Sequence, residues 1–200
     1  MKKIFLCLGL FCSFKTNAQN FTIQKGTSIK ADGILETGEW ASVDSVLIEI
    51  SGSTQVIVKY KHDGTNLLFA FINIPGGMNP GFPEINIDVK NDKTENWNAN
   101  DYWFHVSMTD CFAIGKPSDY SNCKTVQPNW LAAPNFENGK PLPKAVEIQI
   151  PFSTLNFALD NKGKTIGICF DVSDTAAYWE HWPAKANYKK PATWATAILK

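Results

Sequence analysis

Apolar and polar side chains that alternate at every second position are the feature that most constrains this chain. Val146, Ile148 and Ile150 alternate with Glu147 and Gln149. Successive side chains of a strand point to opposite faces, so this pattern predicts a half-buried strand with Glu147 as the solvent-facing partner of Ile148. Strand character recurs at residues 46–50, 54–62, 66–74, 84–89, 102–108, 165–172 and 194–199.

Turn signals and the lack of long helical periodicity indicate which class of fold these strands form. Asp63-Gly64 lies between two strand segments and is typical of a tight hairpin. Two short helical turns are predicted, at residues 35–40 and 153–155, the second after Pro151 and with Ser153 as its cap. Many short strands and few helices predict an all-β fold, a two-sheet antiparallel β-sandwich of jelly-roll type with one or two short helical turns.

The first residues have the pattern of an export signal. Two lysines precede an apolar run at residues 4–14, and Ala18 precedes the expected cut before Gln19. We therefore expect a signal peptide at residues 1–18, a single domain at residues 19–200, and a secreted or periplasmic location. The rest of the chain has no second long apolar run, so membrane insertion is not expected.

Charge and composition argue against several function classes. Removing Lys2, Lys3 and Lys15 from 19 basic and 19 acidic residues leaves a net charge of −3, which predicts no nucleic-acid partner. The chain has no arginine, the usual residue for bidentate phosphate recognition. With three histidines and no metalloprotease, nucleophile-elbow or phosphate-loop motif, the expected protein is non-catalytic. We also expect a monomer. The alternative is a glycoside hydrolase that uses Glu147 and Glu180 as its carboxylate pair, and the sequence favours it less than a non-catalytic protein.

The cysteines of the expected mature chain are Cys111, Cys123 and Cys169. An oxidising compartment permits disulfides, and Cys111 and Cys123 enclose a short polar loop, so we predict that they pair. The alternative is that all three are reduced. Cys169 lies within an apolar run and is predicted to be a buried free thiol.

Five segments, in order, resemble the family 9 carbohydrate-binding modules and the wider group of DOMON-like sandwich domains. They are ADGILETGEW at 31–40, VIVKYKHDGTNLLFAF at 56–71, INID at 85–88, VEIQIPFSTL at 146–155 and IGICFDVSD at 166–174. The resemblance implies a β-sandwich that binds an oligo- or polysaccharide and supports polysaccharide degradation by other enzymes. Within these segments, Trp40 is expected to plug the core and Pro151 to end a strand.

Tryptophans among polar residues are the candidate sugar site. Sugar rings pack their C–H faces on aromatic rings, and their hydroxyls need polar partners. The segments around residues 95–103 and 178–182 have this composition, with Trp194 expected in the core. We expect a pair of aromatics from these two segments to hold the sugar. The candidate ligand-binding residues are Trp97, Trp103, Trp179, Trp182, Trp130, Asn98, Glu180 and His181.

A structural calcium ion is a further hypothesis. Asp88, Asp92 and Asp101 bracket a loop rich in asparagine, and calcium prefers hard oxygen ligands. The same residues also suit a solvated polar loop.

Two other functions remain open on the sequence. Some DOMON-like domains hold haem between Met and His, and the residues to try here are Met78, Met108, His105 and His181. His105 and Met108 are three apart on one predicted strand, so they face opposite sides and cannot both ligate one haem. Exposed aromatics could instead serve a protein-interaction module.

Overall fold

The computed structural model describes residues 19–50, 54–75, 82–106, 111–114, 119–121, 130–136, 143–158, 161–173 and 179–200. Within these ranges the chain forms strands and two short 3-10 helices, Phe152–Leu155 and Pro191–Thr193. The strands are β1 (Asn20–Ile23), β2 (Ser45–Ile50), β3 (Thr54–His62), β4 (Asn66–Ile72), β5 (Pro83–Asp88), β6 (Asp101–Val106), β7 (Cys111–Ile114), β8 (Asp119–Ser121), β9 (Leu131–Phe136), β10 (Pro143–Pro151), β11 (Thr165–Ser173), β12 (Trp179–Trp182) and β13 (Ala195–Leu199).

The strands pair into two sheets. The larger sheet has the order β1-β13-β11-β5-β6-β7-β8, with β12 paired to the second half of β11. The smaller sheet has the order β2-β3-β4-β10-β9. Neighbouring strands are antiparallel except for β1 and β13, which run parallel. The predicted two-sheet antiparallel sandwich is confirmed.

The main core lies between the two sheets. Phe69 and Phe71 of β4 pack edge-on against Phe170 of β11. Phe170 also packs on Trp182, and all four side chains are buried. Apolar residues at alternate positions of each strand supply the rest of this core, as the period-two pattern predicted.

A second covered surface lies on the outer face of the smaller sheet. Trp40 packs there on Leu68 and Ala70, so the segment between β1 and β2 lies over the sheet. Trp40 is buried as predicted, although in this satellite cluster and outside the main core. Glu147 of β10 lies opposite Ala70 and is fully buried. The prediction that Glu147 faces solvent is wrong, because this segment covers its side of the sheet.

Of the predicted turns and short helices, some are confirmed and others are wrong. The Asp63-Gly64 turn is confirmed: Gly64 has a φ of 100°, and Asp63 Oδ1 accepts the amide of Asn66 at 2.7 Å. A 3-10 helix forms after Pro151, but Ser153 makes no cap, because this helix has no side-chain cap hydrogen bond. Within residues 35–40 the chain forms a turn at 37–39 and no helix. No helix in the described ranges is both long and apolar enough to span a membrane.

Candidate functional site

The strand register aligns four titratable side chains across the outer face of the larger sheet. His105 of β6 lies opposite Glu84 of β5, Glu84 lies opposite Asp171 of β11, and Asp171 lies opposite His181 of β12. Paired residues share a face, so these four side chains form one transverse line, here called the polar row. On the inner face the same strands carry the apolar side chains of the core.

Two carboxylate–imidazole pairs join the members of the polar row. His105 Nδ1 lies 2.6 Å from Glu84 Oε1, and His181 Nδ1 lies 2.5 Å from Asp171 Oδ1. Asn86 donates its amide to Asp171 Oδ2, and the thiol of Cys169 lies 3.2 Å from Asp171 Oδ1. Asp171 thus has hydrogen-bonding neighbours at both carboxylate oxygens, which offset the cost of burying it.

Burial and neighbouring charges shift the pKa values of this network. Burial raises the pKa of Glu84, although His105 partly counteracts the effect. The hydrogen bond to Asp171 raises the pKa of His181, and burial opposes that rise. Burial and the nearby Asp171 raise the pKa of the Cys169 thiol well above its ordinary value, so Cys169 is a protonated, buried free thiol, as predicted.

Aromatic side chains border one side of the polar row. Trp179 lies opposite Ser173, and the amide of Phe82 donates to Ser173 Oγ at 3.1 Å. Phe82 packs edge-on against both Trp179 and His105, with ring centroids 5.2 and 4.8 Å away. Trp179 is 37% exposed and is one of the three exposed large hydrophobic side chains among the described residues. This exposure is what the stacking of a sugar ring on Trp179 requires.

Trp103 and Trp97 extend the aromatic surface towards the other end of the sheet. Trp103 follows Tyr102 on β6; Tyr102 enters the core, and Trp103 is half-buried on the outer face. Trp97 packs edge-on against Trp103 and against the fully buried Trp194. Trp97 also donates its indole N–H to the carbonyl of Tyr188 at 2.7 Å. The strand register and ring contacts therefore bring Trp97, Trp103, Trp179 and His181 of the predicted set to one face.

Three other candidates are placed elsewhere. Trp130 and Trp182 are 2% and 8% exposed and belong to the main core, so the prediction that they lie exposed at a sugar site is wrong. Trp182 lies opposite Phe170, and Glu180 lies opposite Val172, a core residue. Glu180 therefore points away from the face that carries Trp179 and His181.

Asn98 lies at a separate cavity of about 550 Å³ near the ends of β5 and β6. The walls combine polar and apolar side chains, and Tyr102, the one aromatic residue among them, is buried. The lining residues are Val89, Lys90, Asp92, Asn98, Ala99, Asn100, Tyr102, Leu155, Asn156 and Lys164. The cavity thus offers polar side chains for sugar hydroxyls but no exposed aromatic ring for a sugar to stack on.

The three aspartates of the calcium hypothesis already accept hydrogen bonds. Asp92 accepts the side-chain amides of Asn98 and Asn100 at 3.2–3.3 Å, and Asp101 accepts the backbone amide of Asn98 at 2.6 Å. Asp88 accepts two backbone amides of its own loop. Within the described ranges these carboxylates do not form a group close enough to share one ion. The calcium hypothesis therefore stays an untested prediction without support from the geometry.

Several predictions fall outside the described residues. Cys123, Met78 and Met108 belong to residues that the structure does not describe, and so does the expected signal peptide at residues 1–18. Cys111 lies in β7, but its pairing with Cys123 stays a prediction.

The sequence analysis missed the polar row as a unit. Its signal was available, because the strand at 84–89 alternates Glu84, Asn86 and Asp88 with apolar residues, and Asp171 is the one charged residue in an apolar run. Alternation identifies the face of each strand. It does not reveal which strands are neighbours, and the row exists only once β5, β6, β11 and β12 are aligned.

Comparison with solved structures supports the architecture. A family 9 carbohydrate-binding module from Caldicellulosiruptor kristjanssonii in complex with cellotriose matches with a TM-score of 0.62 at 16% identity, covering 91% of this chain and 94% of that one. A family 9 module from the same organism in complex with glucose matches with a TM-score of 0.61 at 16% identity, covering 91% and 96%. A Bacteroides uniformis protein matches with a TM-score of 0.61 at 11% identity, covering 92% and 100%.

These matches define the class of fold, a β-sandwich of the kind found in carbohydrate-binding modules. The fold is that of family 9 in particular, as the sequence resemblance implied. No protein-family model matches the chain, and no curated protein matches it significantly.

Proposed function

We propose that this protein is a secreted, non-catalytic carbohydrate-binding module that holds a sugar on Trp179 at the outer face of the larger sheet. The observation that carries the proposal is an exposed indole ring beside a line of polar side chains. In this role the protein supports polysaccharide degradation by enzymes encoded elsewhere.

Trp179 meets the apolar requirement of a sugar site. Its ring is exposed, while its edge-on contact with Phe82 limits its motion. A ring that is already ordered loses little conformational entropy when a sugar stacks on it. The half-buried Trp103 and Trp97 lie on the same face, so a longer glycan has further aromatic surface to contact.

His181 meets the polar requirement. Its Nδ1 is held by Asp171, and its side chain is 21% exposed. This leaves Nε2 for a sugar hydroxyl, with the ring orientation set by the carboxylate. Solved structures with the same fold carry cellotriose and glucose, so β-linked glucose oligosaccharides are the first ligands to try.

Isothermal titration calorimetry with a panel of oligosaccharides, including cellotriose and glucose, tests the proposal. We expect binding by the wild-type protein and a loss of affinity of about tenfold in Trp179→Ala, because one stacking surface is removed. Ile34→Ala is the matched control. Ile34 is also an exposed apolar side chain, but it lies in the segment that covers the smaller sheet.

Two outcomes contradict the proposal. One is a folded wild-type protein that binds no glycan in the panel. The other is a glycan affinity that Trp179→Ala and Ile34→Ala change equally. A Soret absorption band in the purified protein would favour the haem alternative.

A further inference from the structure

The polar row and the adjacent thiol of Cys169 form a group of three potential metal ligands, and the sugar proposal gives no role to the thiol. Cys169 Sγ, a carboxylate oxygen of Asp171 and a ring nitrogen of His181 all lie within 4.8 Å of one another. This is the one such group of three or more among the described residues. Cys169 and Asp171 are buried, and His181 is half-buried at the edge.

The strand register explains why these atoms converge. Cys169 and Asp171 are two residues apart on β11, so their side chains leave the same face of the sheet. His181 lies directly opposite Asp171 on β12. The three ligands are thus held by two paired strands rather than by a loop, which limits their displacement.

Asn86 supplies a second, independent observation. It lies opposite Cys169 on β5, is fully buried, and donates its amide to Asp171 Oδ2. Its carbonyl oxygen Oδ1 is buried without a hydrogen-bond partner among the described residues. A buried amide oxygen without a partner is destabilising, so Asn86 Oδ1 calls for a ligand or an ordered water.

We propose that Cys169, Asp171 and His181 bind a divalent transition-metal ion of the zinc type. Thiolate sulfur and imidazole nitrogen favour zinc or cobalt over calcium and magnesium. Thiolate and carboxylate together balance the two positive charges of the ion. The nearby carboxyl group of Glu84 adds negative potential, since it acts electrostatically on both Cys169 and His181.

Binding exchanges protons for the metal. The S–H proton of Cys169 leaves to solvent. The Nδ1 proton of His181 leaves to solvent if the ring is an imidazolium, or is exchanged for one on Nε2 if the ring is neutral. Cys169 Sγ, His181 Nδ1 and Asp171 Oδ1 then bond to the ion. Asn86 still holds Asp171 Oδ2 and orients the carboxylate. The unpartnered oxygen of Asn86, or a water, completes a tetrahedral set. The ion enters past His181, the most exposed of the three ligands.

Cobalt and zinc salts test the proposal on purified protein that has been stripped with a chelator and kept reduced. We expect one Zn²⁺ per chain by calorimetry, and thiolate-to-cobalt charge-transfer bands when CoCl₂ is added. Cys169→Ala should abolish these bands. His181→Gln should weaken binding about tenfold or more. Glu49→Gln, which removes an exposed carboxylate from β2 of the smaller sheet, should bind as the wild type does.

The proposal is overturned if folded wild-type protein shows no cobalt–thiolate bands. It is also overturned if Cys169→Ala retains them, because the metal would then bind Cys111 or Cys123. If Cys169→Ala does not fold, as judged by circular dichroism, the His181→Gln titration decides, because His181 lies at the edge of the sheet. Only metal is used as a probe, so failure here is distinguishable from failure of the sugar proposal.

Discussion

Glu147→Gln replaces the buried carboxylate that anchors the segment between β1 and β2. Glu147 is fully buried and accepts three hydrogen bonds. They come from the indole N–H of Trp40 at 2.7 Å, the amide of Gly33 at 2.9 Å and the amide of Asp32 at 3.1 Å. The substitution keeps the shape of the side chain and removes its charge and one of its acceptor atoms.

The size of the effect follows from which oxygen each donor uses. Trp40 uses Oε1, whereas Gly33 and Asp32 share Oε2. In the variant one of these oxygens becomes an NH₂ group. The Gln amide can turn so that its oxygen faces Gly33 and Asp32, and the indole N–H of Trp40 then faces the NH₂ group and loses its acceptor, at about 1–3 kcal/mol. Burial raises the pKa of Glu147, so removing the charge recovers part of this, and we expect a net loss of about 1–2 kcal/mol.

Urea unfolding followed by tryptophan fluorescence measures this loss. Glu49→Gln is the matched control, because Glu49 is an exposed carboxylate on β2 of the same sheet and should change stability by less than about 0.5 kcal/mol. The near-ultraviolet circular dichroism of Glu147→Gln should also change, since Trp40 loses its anchor. If Glu147→Gln is as stable as Glu49→Gln, the carboxylate does not hold the segment and the reasoning fails.

Two further predictions concern stability. Burial, with smaller contributions from Asp88 and other nearby acids, raises the pKa of Asp101 from 3.8 to about 6, so the folded state keeps a proton that the unfolded state releases. Stability should therefore fall as pH rises from about 4 to about 6, by at most about 3 kcal/mol, and urea titrations should show a smaller fall in Asp101→Asn. Trp182→Ala should lower the free energy of unfolding by about 3–5 kcal/mol, measured by thermal or urea unfolding, because it opens a core cavity. Trp179→Ala should lower it by under about 1 kcal/mol. Equal losses would refute the assignment of these two rings to opposite faces of the sheet.

The strands could be predicted from the sequence because their signal is local. Segments 54–62 and 165–172 match β3 and β11 closely, since backbone geometry ties period-two alternation to two faces. The same rule placed Trp179 and Trp182 on opposite faces of one short strand. Strand β9 was not predicted, because its sequence LAAPNF contains a proline and does not alternate.

Side-chain burial could not be predicted where a distant segment supplies the cover. Glu147 alternates with isoleucines as an exposed residue would, and only the contacts with residues more than 100 positions away bury it. Trp130 follows Pro128 and Asn129 and was a candidate sugar-binding residue, yet it packs on Phe104 in the core. The residues next to a position in sequence do not indicate which distant segment will pack against it.

The sequence by itself determined the class of fold, the hairpin at Asp63-Gly64 and the face on which most strand residues lie, because each depends on neighbours within a few positions. Tertiary structure alone decided which strands adjoin, and with that the polar row, the convergence of Cys169, Asp171 and His181, and the exposure of Trp179. The physical reason is that alternation specifies the orientation of a side chain relative to its own strand, whereas a site requires the order and register of several strands, which the packing of the whole sandwich sets.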